Sequence, residues 1–318
     1  MNDISSQWVS VTSGVPQGSI IGPKLFIMYV NDLPDQCKNS EKKLFADDSK
    51  FYRTIRTIVD CVLLQNDLNN IYEWCCTWKI SLNLDKCYFI SFTNKRVHKN
   101  TFPYYFGSTI IKSVTDIKDL GVYFSANLSF KYHVDHVVAK ANKMLGFVRR
   151  TTKDINDVTV LLSLFRTLVL TRLEYASSVW SPAQEYLSLK IERVQKRAVK
   201  WLSFKTRTPY RDVPYETLCN RFNLTPLNVR RKQTDLRNMN KIIIGKINCP
   251  DLLGEVCWHT PIRRLRFTVT FNSPHRINLR GNSFFPRTHR LLNKLPDDFN
   301  IYESNVNTFK HTVKKLEF

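Results

Sequence analysis

The chain has 318 residues, 43% of them hydrophobic, and carries 48 Lys and Arg against 27 Asp and Glu, a formal net charge of +21. This length and apolar content are enough for a sizeable core, and nine Gly and thirteen Pro are too few for a linker-like chain. The longest purely apolar run, residues 25–30, is too short to span a bilayer, and no basic-then-apolar leader opens the sequence. We therefore expect a nuclear or cytoplasmic protein with no membrane partner. Eight Cys without a Cys-x-x-Cys pair predict reduced thiols.

Positive charge is concentrated in the last two thirds of the chain. Residues 1–100 carry 12 basic and 10 acidic side chains (+2), residues 101–210 carry 17 and 8 (+9), and residues 211–318 carry 19 and 9 (+10). A surplus of this size suits a polyanionic partner, because each phosphate that a cation neutralises releases condensed counterions. A merely basic, well-solvated surface is the alternative.

The first recognisable segment is a loop of turn residues followed by an apolar run, "SGVPQGSIIGPKLFIMYVNDLP" (13–34). Its Gly and Pro residues predict tight turns over 11–23, and Pro23 fits the first turn of a helix that carries residues 25–33. We expect this helix to be buried. Gly18 lets a backbone approach a ligand closely, and Gln17 offers both an amide donor and an acceptor.

Two adjacent carboxylates, Asp47 and Asp48, lie in the segment "LFADDSKFY" (44–52), between two short apolar and aromatic runs. This pattern predicts a hairpin with the carboxylates at its turn. Adjacent like charges repel, so the pair costs free energy unless a cation or a set of donors compensates it. A solvated acidic turn is the alternative interpretation of these residues taken alone.

An amphipathic helix and short strands come after the hairpin. Apolar residues at helical spacing predict a helix over 57–79 laid on a sheet, with buried positions Leu64, Leu68, Ile71, Cys75 and Trp78. Residues 82–92 predict a turn at 83–86 and then a strand, and residues 117–125 predict a strand pair with Gly121 at the bend. This succession of elements indicates an α+β fold.

From residue 136 onward the pattern is helical, with helices predicted over 136–150 and 158–173. A third helix begins at Ser181, where Ser181, Pro182 and Gln184 fit the N-cap, the first helical position and the third position of a capping box. Its predicted buried side is Leu187, Ile191, Val194, Ala198 and Trp201.

The opposite side of this third helix carries one acid, Glu192, and a group of cations: Lys190, Arg193, Lys196, Arg197 and Lys200. Pairs within the helix cannot neutralise them, so we expect them to run along a nucleic-acid backbone, with a solvated face as the alternative. A further basic cluster lies at Arg263, Arg264 and Arg266.

In this order the motifs resemble the second part of the reverse transcriptases of LINE-type (non-LTR) retrotransposons, close to the jockey-like elements. "SGVPQGSIIGPKLFIMYVNDLP" resembles the family's template- and nucleotide-handling loop and helix, "FADD" its catalytic hairpin, and "LNLDKC" the next motif, which carries a Lys. "DLGVYFS" resembles its primer-grip hairpin, and "LVLTRLEYASSVWSP" with "IERVQKRAVKWL" resembles its thumb and the segment after the thumb. The resemblance covers nearly the whole chain.

The resemblance implies an incomplete polymerase palm, a mainly helical thumb and a basic C-terminal region. Its parts would be a partial palm over 1–95, primer-grip-like strands over 96–135, a helical thumb over 136–210 and a basic C-terminal domain over 211–318. The implied partners are an RNA template, a DNA primer and a deoxynucleoside triphosphate. The family's endonuclease, fingers and first catalytic Asp lie upstream of the loop, and we expect this chain to lack them.

The implied reaction is RNA-directed DNA synthesis by two-metal phosphoryl transfer with Mg²⁺. Carried over position by position, Asp47 is the principal metal ligand and Asp48 the less direct one. Lys86 would lie near the triphosphate as a candidate proton donor to pyrophosphate.

Four more positions carry over from the family. Gln17 and Gly18 would line the nucleotide and template, Phe45 would pack behind the hairpin, and Ala46 would leave room for the primer end. With two carboxylates of three and no fingers, we expect the chain alone not to polymerise, since lost positioning removes many orders of magnitude in rate. The alternative function is non-catalytic binding of RNA or RNA–DNA duplex by the basic helices.

Overall fold

The computed structural model describes residues 10, 14–93, 102–258, 271–272, 280–296, 299–303 and 305–316. The chain divides into two compact units, Met1–Thr115 and Asp116–Phe318, which we call the first and second units. The division falls inside the segment 96–135, and the four-part organisation stays a prediction. Helices and strands occur together, as the α+β class requires. The basic cluster at Arg263, Arg264 and Arg266 lies outside the described residues.

The first unit combines helices with short paired strands. In chain order its helices are α1 (Gly22–Tyr29) and α2 (Ile58–Thr77), with 3₁₀ turns at Leu33–Gln36 and Leu84–Lys86. Its strands are β1 (Glu41–Phe45), β2 (Asp48–Tyr52), β3 (Tyr88–Phe89), β4 (Tyr105–Phe106), β5 (Thr109–Ile110) and β6 (Lys112–Ser113). Strand β1 pairs antiparallel with β2, β4 antiparallel with β5, and β3 parallel with β6. The predicted turn at 83–86 and the strand after it are confirmed, although the strand is short.

Helix α2 carries the core of the first unit and confirms the helix predicted over 57–79. A capping box formed by Thr57 and Asp60 starts it and satisfies backbone N–H groups that the first turn leaves without partners. The predicted buried positions within the helix contact the core, namely Leu64, Leu68, Ile71 and Cys75. Trp78, the residue after the helix, is 44% exposed, so the buried side of the helix ends at Cys75.

Helix α1 is shorter than predicted and is not buried. Pro23 lies in its first turn as predicted, but the helix ends at Tyr29 and the 3₁₀ turn Leu33–Gln36 comes after it. None of its residues is buried, and Ile27 and Met28 are 59% and 74% exposed. The expectation of a buried helix is wrong because an apolar run does not determine whether another element covers it.

The second unit begins with a β-hairpin and continues as helices. Strands β7 (Asp116–Asp119) and β8 (Val122–Ser125) pair antiparallel around Gly121, which confirms the predicted strand pair. The helices are α3 (Lys131–Thr151), α4 (Val158–Leu164), α5 (Thr171–Glu174), α6 (Ser177–Trp180), α7 (Glu185–Lys205), α8 (Tyr215–Arg221), α9 (Leu227–Ile243), α10 (Pro250–Gly254), α11 (Phe284–Leu292) and α12 (Val306–Lys315). A π-helical segment, Phe165–Leu170, joins α4 to α5, so the helix predicted over 158–173 is continuous but changes its winding.

The cysteines and the lengths of the helices bear on two expectations from the sequence, namely reduced thiols and no membrane-spanning segment. All eight cysteines lie in the described part of the chain, and none of them forms a disulfide. Among the described residues, no helix combines the length and the apolar character needed to cross a membrane.

Helix α7 is central to the core of the second unit. Its predicted buried side is confirmed, since Leu187, Ile191, Val194, Ala198 and Trp201 are all buried. The helix begins at Glu185 with no side-chain cap, so the capping box predicted at Ser181 is wrong. Ser181 instead ends α6, where its backbone N–H donates to the carbonyl of Ser177 at 2.8 Å. The Ser-Pro pair therefore separates two helices.

Glu192 faces the interior of the second unit rather than the cations of α7. One oxygen accepts hydrogen bonds from the Tyr215 hydroxyl and from the backbone N–H of Leu227 (2.9 Å), and the other accepts from the N–H of Asn228 (3.2 Å). This carboxylate caps the N-terminus of α9, where free N–H groups and the helix dipole favour negative charge. Helix α9 in turn shares an apolar cluster with α11 and α12, built around Leu236, Met239, Leu292 and Phe309.

The buried His133 on α3 makes the stability of the second unit depend on pH. The backbone N–H of Tyr123 donates to His133 Nδ1 at 3.2 Å, and the ring centroids of His133 and Trp180 are 4.9 Å apart. Burial, with a smaller contribution from His136, lowers the pKa of His133 from 6.5 to about 4. Between these two pH values the unfolded chain binds a proton that the folded unit rejects.

We therefore expect the free energy of unfolding to fall as the pH is lowered from 6.5 towards 4, by up to about 3 kcal/mol for His133 alone. Urea unfolding at a series of pH values across this window measures the change. His133→Gln keeps an acceptor for the Tyr123 N–H and should flatten the dependence. His136→Gln, at a more exposed ring, should retain most of the pH dependence. Equal flattening in both variants would contradict the assignment to His133.

Candidate active site and nucleic-acid surface

Asp47 and Asp48 lie at the tip of the predicted hairpin. Strands β1 and β2 pair so that Phe45 faces Asp48, which leaves Ala46 and Asp47 as a two-residue turn. Ala46 has φ +52°, in the left-handed region that two-residue hairpin turns use. Phe45 is 63% exposed, so the expectation that it packs behind the hairpin is wrong. Because side chains alternate along a strand, Leu44 faces the covered side and Phe45 faces solvent.

The two carboxylates are free to bind a cation. Both Asp47 and Asp48 are exposed, and neither carboxylate has a hydrogen-bond or ion-pair partner among the residues that the structure describes. Adjacent carboxylate oxygens suit Mg²⁺, which proteins bind through one or two carboxylates together with substrate phosphates. The described residues include no group of three or more His, Cys, Asp or Glu that could hold a metal ion. Among the described residues, the hairpin thus offers a cation two adjacent carboxylates without a third ligand beside them.

The loop that enters β1 is anchored to α2 by the buried carboxylate of Asp67. One oxygen accepts hydrogen bonds from the backbone N–H of Lys38 (3.1 Å) and from the Asn39 side chain (3.0 Å), and the other accepts from the Asn39 N–H (2.9 Å). Burial acts to raise the pKa of Asp67, but hydrogen bonds from residues 38–40 outweigh it and hold the pKa below its usual value. Asp67 is therefore charged at neutral pH and fixes the start of the hairpin.

The end of β2 is anchored to the same helix through Arg53. Its Nη2 donates to Asp60 Oδ1 at 2.9 Å, and its Nη1 donates to the carbonyl of Asn39. Asp60 also accepts from the backbone N–H groups of Arg56 and Thr57, both at 3.0 Å, and these bonds together with Arg53 hold its pKa well below the usual range. Both ends of the hairpin are thus tied to α2, while its tip stays exposed.

Three residues position the hairpin without having been predicted from the sequence, namely Asp67, Asp60 and Arg53. Asp67 stands within the apolar stripe of α2, and a carboxylate in such a stripe signals a partner inside the fold. Thr57 and Asp60 match the spacing of a capping box at the start of a helix. For Arg53 the sequence holds no comparable signal.

The remaining residues assigned by resemblance lie in turns of the first unit. Gln17 and Gly18 are the central residues of a β-turn closed by a hydrogen bond from Ser19 N–H to the Pro16 carbonyl at 3.1 Å. Gly18 has φ +85°, the value that a type II turn requires there, so a glycine is needed for the backbone alone. Lys86 is exposed at the end of a 3₁₀ turn. Within the described part of the chain, no hydrogen bond or ion pair joins these side chains to the hairpin.

A groove of about 680 Å³ lies beside α1 and is largely apolar, with Phe26 and Tyr29 in its lining. Trp78 also lines it and meets the Tyr29 ring edge-on, with centroids 5.6 Å apart. Asp32, at the same groove, accepts a hydrogen bond from the Trp74 indole N–H at 3.1 Å. The loop and α1 therefore frame a recess of ligand size in the unit that carries the hairpin.

Two of the five cations predicted on α7 bind α3. Lys190 Nζ pairs with Asp135 Oδ1 at 2.5 Å, and Arg197 Nη1 donates to Asn142 Oδ1 at 3.0 Å. These cations stabilise the packing of α7 on α3, and their charge is less available to an external anion than the sequence suggests.

The other three cations of α7 have no hydrogen-bond acceptor or ion-pair partner among the described residues. Lys196 lies 4.9 Å from the centroid of the Tyr215 ring. Arg193 and Lys200 are exposed and have no partner among the described residues. The surface that can contact phosphates is thus narrower than predicted, because neighbouring helices supply acceptors that a single-helix pattern does not reveal. The role of these residues in nucleic-acid binding stays a prediction.

Comparison with known protein families gives one match that covers most of the chain. The model of the family "Reverse transcriptase (RNA-dependent DNA polymerase)" matches residues 1–204, which is well over half of the chain. The matched span includes the glycine-rich loop with α1, the hairpin that carries Asp47 and Asp48, and nearly all of α7. The chain belongs to the reverse transcriptase family, as its motifs predicted.

Curated relatives confirm the LINE-type, jockey-like character of the sequence. The RNA-directed DNA polymerase from mobile element jockey of Drosophila funebris is 26% identical over 210 residues, 61% of this chain and 22% of that protein. The probable RNA-directed DNA polymerase from transposon X-element of Drosophila melanogaster is 23% identical over 226 residues, 67% of this chain and 25% of that protein. The chain thus spans roughly a quarter of the length of the curated relatives it matches. No solved structure matches it significantly.

Proposed function

We propose that this chain contributes to RNA-directed DNA synthesis, with Asp47 and Asp48 as ligands of Mg²⁺. The observation that carries the proposal is the position of both carboxylates at the exposed tip of a hairpin whose two ends are tied to α2. Family membership supports the reaction class. The substrates are an RNA template, a DNA primer and a deoxynucleoside triphosphate.

The residues of this chain have separate roles in the proposed reaction. Mg²⁺, when bound, supplies Lewis-acid stabilisation of the charge at the reacting phosphate. Asp47 holds the cation directly and Asp48 assists, and the anchored strands limit the movement of both donors. Lys86 donates a proton to the leaving pyrophosphate. Gln17 and Gly18 contact the nucleotide and template.

The 318-residue polypeptide by itself is proposed not to polymerise. A two-metal site in this family uses three carboxylates, and among the described residues no third metal-binding side chain joins Asp47 and Asp48. Weak metal binding and poor positioning each lower the rate steeply, because reaction requires the attacking and leaving groups to be held in line. An active assembly needs a further carboxylate from outside the described residues.

A titration with Mn²⁺, used in place of Mg²⁺, tests the ligands without requiring activity. The paramagnetic ion broadens NMR signals of nearby amides, and we expect the amides of residues 46–49 to broaden first. Asp47→Asn should weaken the apparent affinity by at least roughly tenfold, since substitutions that only misorient ligands already cost 10- to 100-fold. Asp32→Asn, in the same unit, is the matched control and should leave the titration unchanged. Broadening that survives Asp47→Asn would overturn the ligand assignment.

Primer extension on a homopolymer RNA template with Mg²⁺ tests activity separately. We expect no incorporation by the chain alone. Incorporation that disappears in Asp47→Ala would overturn the proposed inactivity while supporting the ligand assignment.

A second candidate function is non-catalytic binding of RNA or RNA–DNA duplex. The net charge of +21 and the unpartnered Arg193 and Lys200 on α7 favour it. This function predicts an affinity for nucleic acid that falls steeply with salt and does not change in Asp47→Asn. It also predicts no broadening of the hairpin amides by Mn²⁺, which separates it from the catalytic proposal.

A further inference from the structure

A concave region of the second unit lies where the C-terminal ends of α3 and α7 come together, and we call it the α3–α7 recess. It is open to solvent and has a volume of about 880 Å³, within the about 300–1,000 Å³ typical of ligand sites. Helix α3 and the loop after it contribute Arg149, Arg150 and Lys153, and the end of α7 with the turn after it contributes Trp201, Phe204 and Arg207.

The charge of the recess is entirely positive. Five cations line it, and no Asp or Glu among the described residues does. One of them, Lys205, serves the fold: its Nζ donates to the Lys153 carbonyl at 2.5 Å and to Asn156 Oδ1 at 3.3 Å, which fixes the loop after α3 against the end of α7. The side chains of the others are exposed and have no partner in the described part of the chain, namely Arg149, Arg150, Lys153 and Arg207. Fixed walls and unneutralised cations are suited to an anion.

An aromatic ring faces the same recess. Phe204 is 68% exposed, whereas Trp201, one helical turn earlier in the same lining, is 7% exposed. Exposure of an aromatic side chain to water forgoes hydrophobic free energy. An exposed ring beside free cations therefore indicates a ligand with both a flat apolar part and an anionic part. A nucleotide has both, in its base and its phosphate.

We infer that the α3–α7 recess binds an unpaired nucleotide of single-stranded RNA or DNA. The base stacks on Phe204, and the flanking phosphates contact Arg149, Arg150 and Arg207. Bases within a duplex stack on one another, so their faces are not available to Phe204 and the recess distinguishes single strands from duplexes. This site uses neither the hairpin carboxylates nor Mg²⁺, and it goes beyond the proposed catalytic function.

Fluorescence anisotropy with the full chain tests the stacking contact. The probes are labelled oligouridylate, labelled oligodeoxythymidylate and a duplex of the same length. Phe204→Ala should weaken binding of both single strands by roughly 5- to 100-fold and leave duplex affinity unchanged. Phe147→Ala is the matched control, because Phe147 is an exposed aromatic on α3 outside the recess, and it should change neither affinity.

Two double variants test the cations at equal charge. Arg149→Gln with Arg150→Gln should lower the slope of log Kd against log salt for single strands by about 1 to 2. Arg193→Gln with Lys200→Gln removes the same charge from the exposed side of α7 and should affect single strands and duplex alike. Melting followed by circular dichroism establishes that these exposed substitutions leave the fold intact.

Each result of these binding experiments either supports or overturns the proposed single-strand site. Equal affinity for the RNA and DNA single strands would mean that the site recognises base and phosphate. Tighter binding of the RNA strand would indicate an added contact to the 2′-hydroxyl. Both results support the inference. A Phe204→Ala chain that binds single strands as well as the parent, or that loses duplex affinity by the same factor, overturns it. Polyglutamate that competes as well as oligouridylate also overturns it, since the site would then recognise charge alone.

Discussion

Asp235→Ala is expected to lower the free energy of unfolding of the second unit by about 3–5 kcal/mol, because it breaks an ion pair with a buried carboxylate and leaves a partly buried guanidinium without its partner. Asp235 on α9 is 2% exposed. Its two oxygens accept hydrogen bonds from Arg287 on α11, from Nε at 2.8 Å and from Nη2 at 3.2 Å. Without the carboxylate, the Arg287 guanidinium loses the group that compensates its removal from water.

Loss of the Asp235 carboxylate should weaken the packing of three helices. Arg287 also donates to the carbonyls of Ser178 and Asn282, both at 2.9 Å. One guanidinium therefore joins α6 and α9 to the start of α11, and Asp235 holds it in place. Urea unfolding at neutral pH, followed by circular dichroism, measures the change.

A matched ion pair on the same helix provides the control. Arg230 of α9 makes a two-point contact with Glu174 of α5, but the two side chains are 34% and 24% exposed, against 22% and 3% for Arg287 and Asp235. Water already screens this pair, so Glu174→Ala should cost about 1 kcal/mol or less. Equal losses in the two variants would contradict the claim that burial sets the cost.

The buried side of α7 and the pair of Asp235 with Arg287 differ in how far the sequence predicts them. The buried side of α7 was predictable because apolar residues recur at the helical period, and each of the five positions is buried. The contact between Asp235 and Arg287 joins residues 52 positions apart and depends on how α9 packs against α11. No local pattern encodes that distance, so the pair was not predictable.

The candidate site divides in the same way. The hairpin that carries Asp47 and Asp48 was predictable from two short runs around a polar turn. The exposure of α1 and of Phe45 was not, since composition does not determine which side of an element is covered. The pattern at Ser181 fits the end of one helix as well as the start of the next, so local sequence could not place the boundary.

The hairpin therefore combines an exposed tip with buried anchors. Exposure leaves the oxygens of Asp47 and Asp48 free for a cation, but an isolated two-stranded hairpin is at best marginally stable in water. Its order must come from its attachments to α2. Asp67 makes the more deeply buried of these, with a fully buried carboxylate that accepts three hydrogen bonds. The precision of the proposed metal site thus depends on a residue that does not itself bind metal.

Asp67→Asn is expected to lower the free energy of unfolding of the first unit by about 2–3 kcal/mol, because an amide group replaces an acceptor and faces N–H donors with another donor. The loop at Lys38 and Asn39 should then loosen, and amides of β1 and β2 should exchange with solvent faster than those of α2. Hydrogen exchange followed by NMR measures both. The apparent affinity of the hairpin for Mn²⁺ should fall in parallel, since Asp47 and Asp48 lose their fixed spacing.

Glu73→Gln is the matched control, because Glu73 is an exposed carboxylate on the same helix. It should change neither exchange nor Mn²⁺ affinity. Hydrogen exchange in Asp67→Asn also distinguishes a positioning role from general destabilisation. If Asp67 positions the hairpin, exchange should rise in β1 and β2 at denaturant concentrations where α2 remains protected. Uniform loss of protection across the first unit would make Asp67 a residue of global stability only. Faster exchange in the hairpin with unchanged Mn²⁺ affinity would separate the order of the hairpin from its capacity to bind metal.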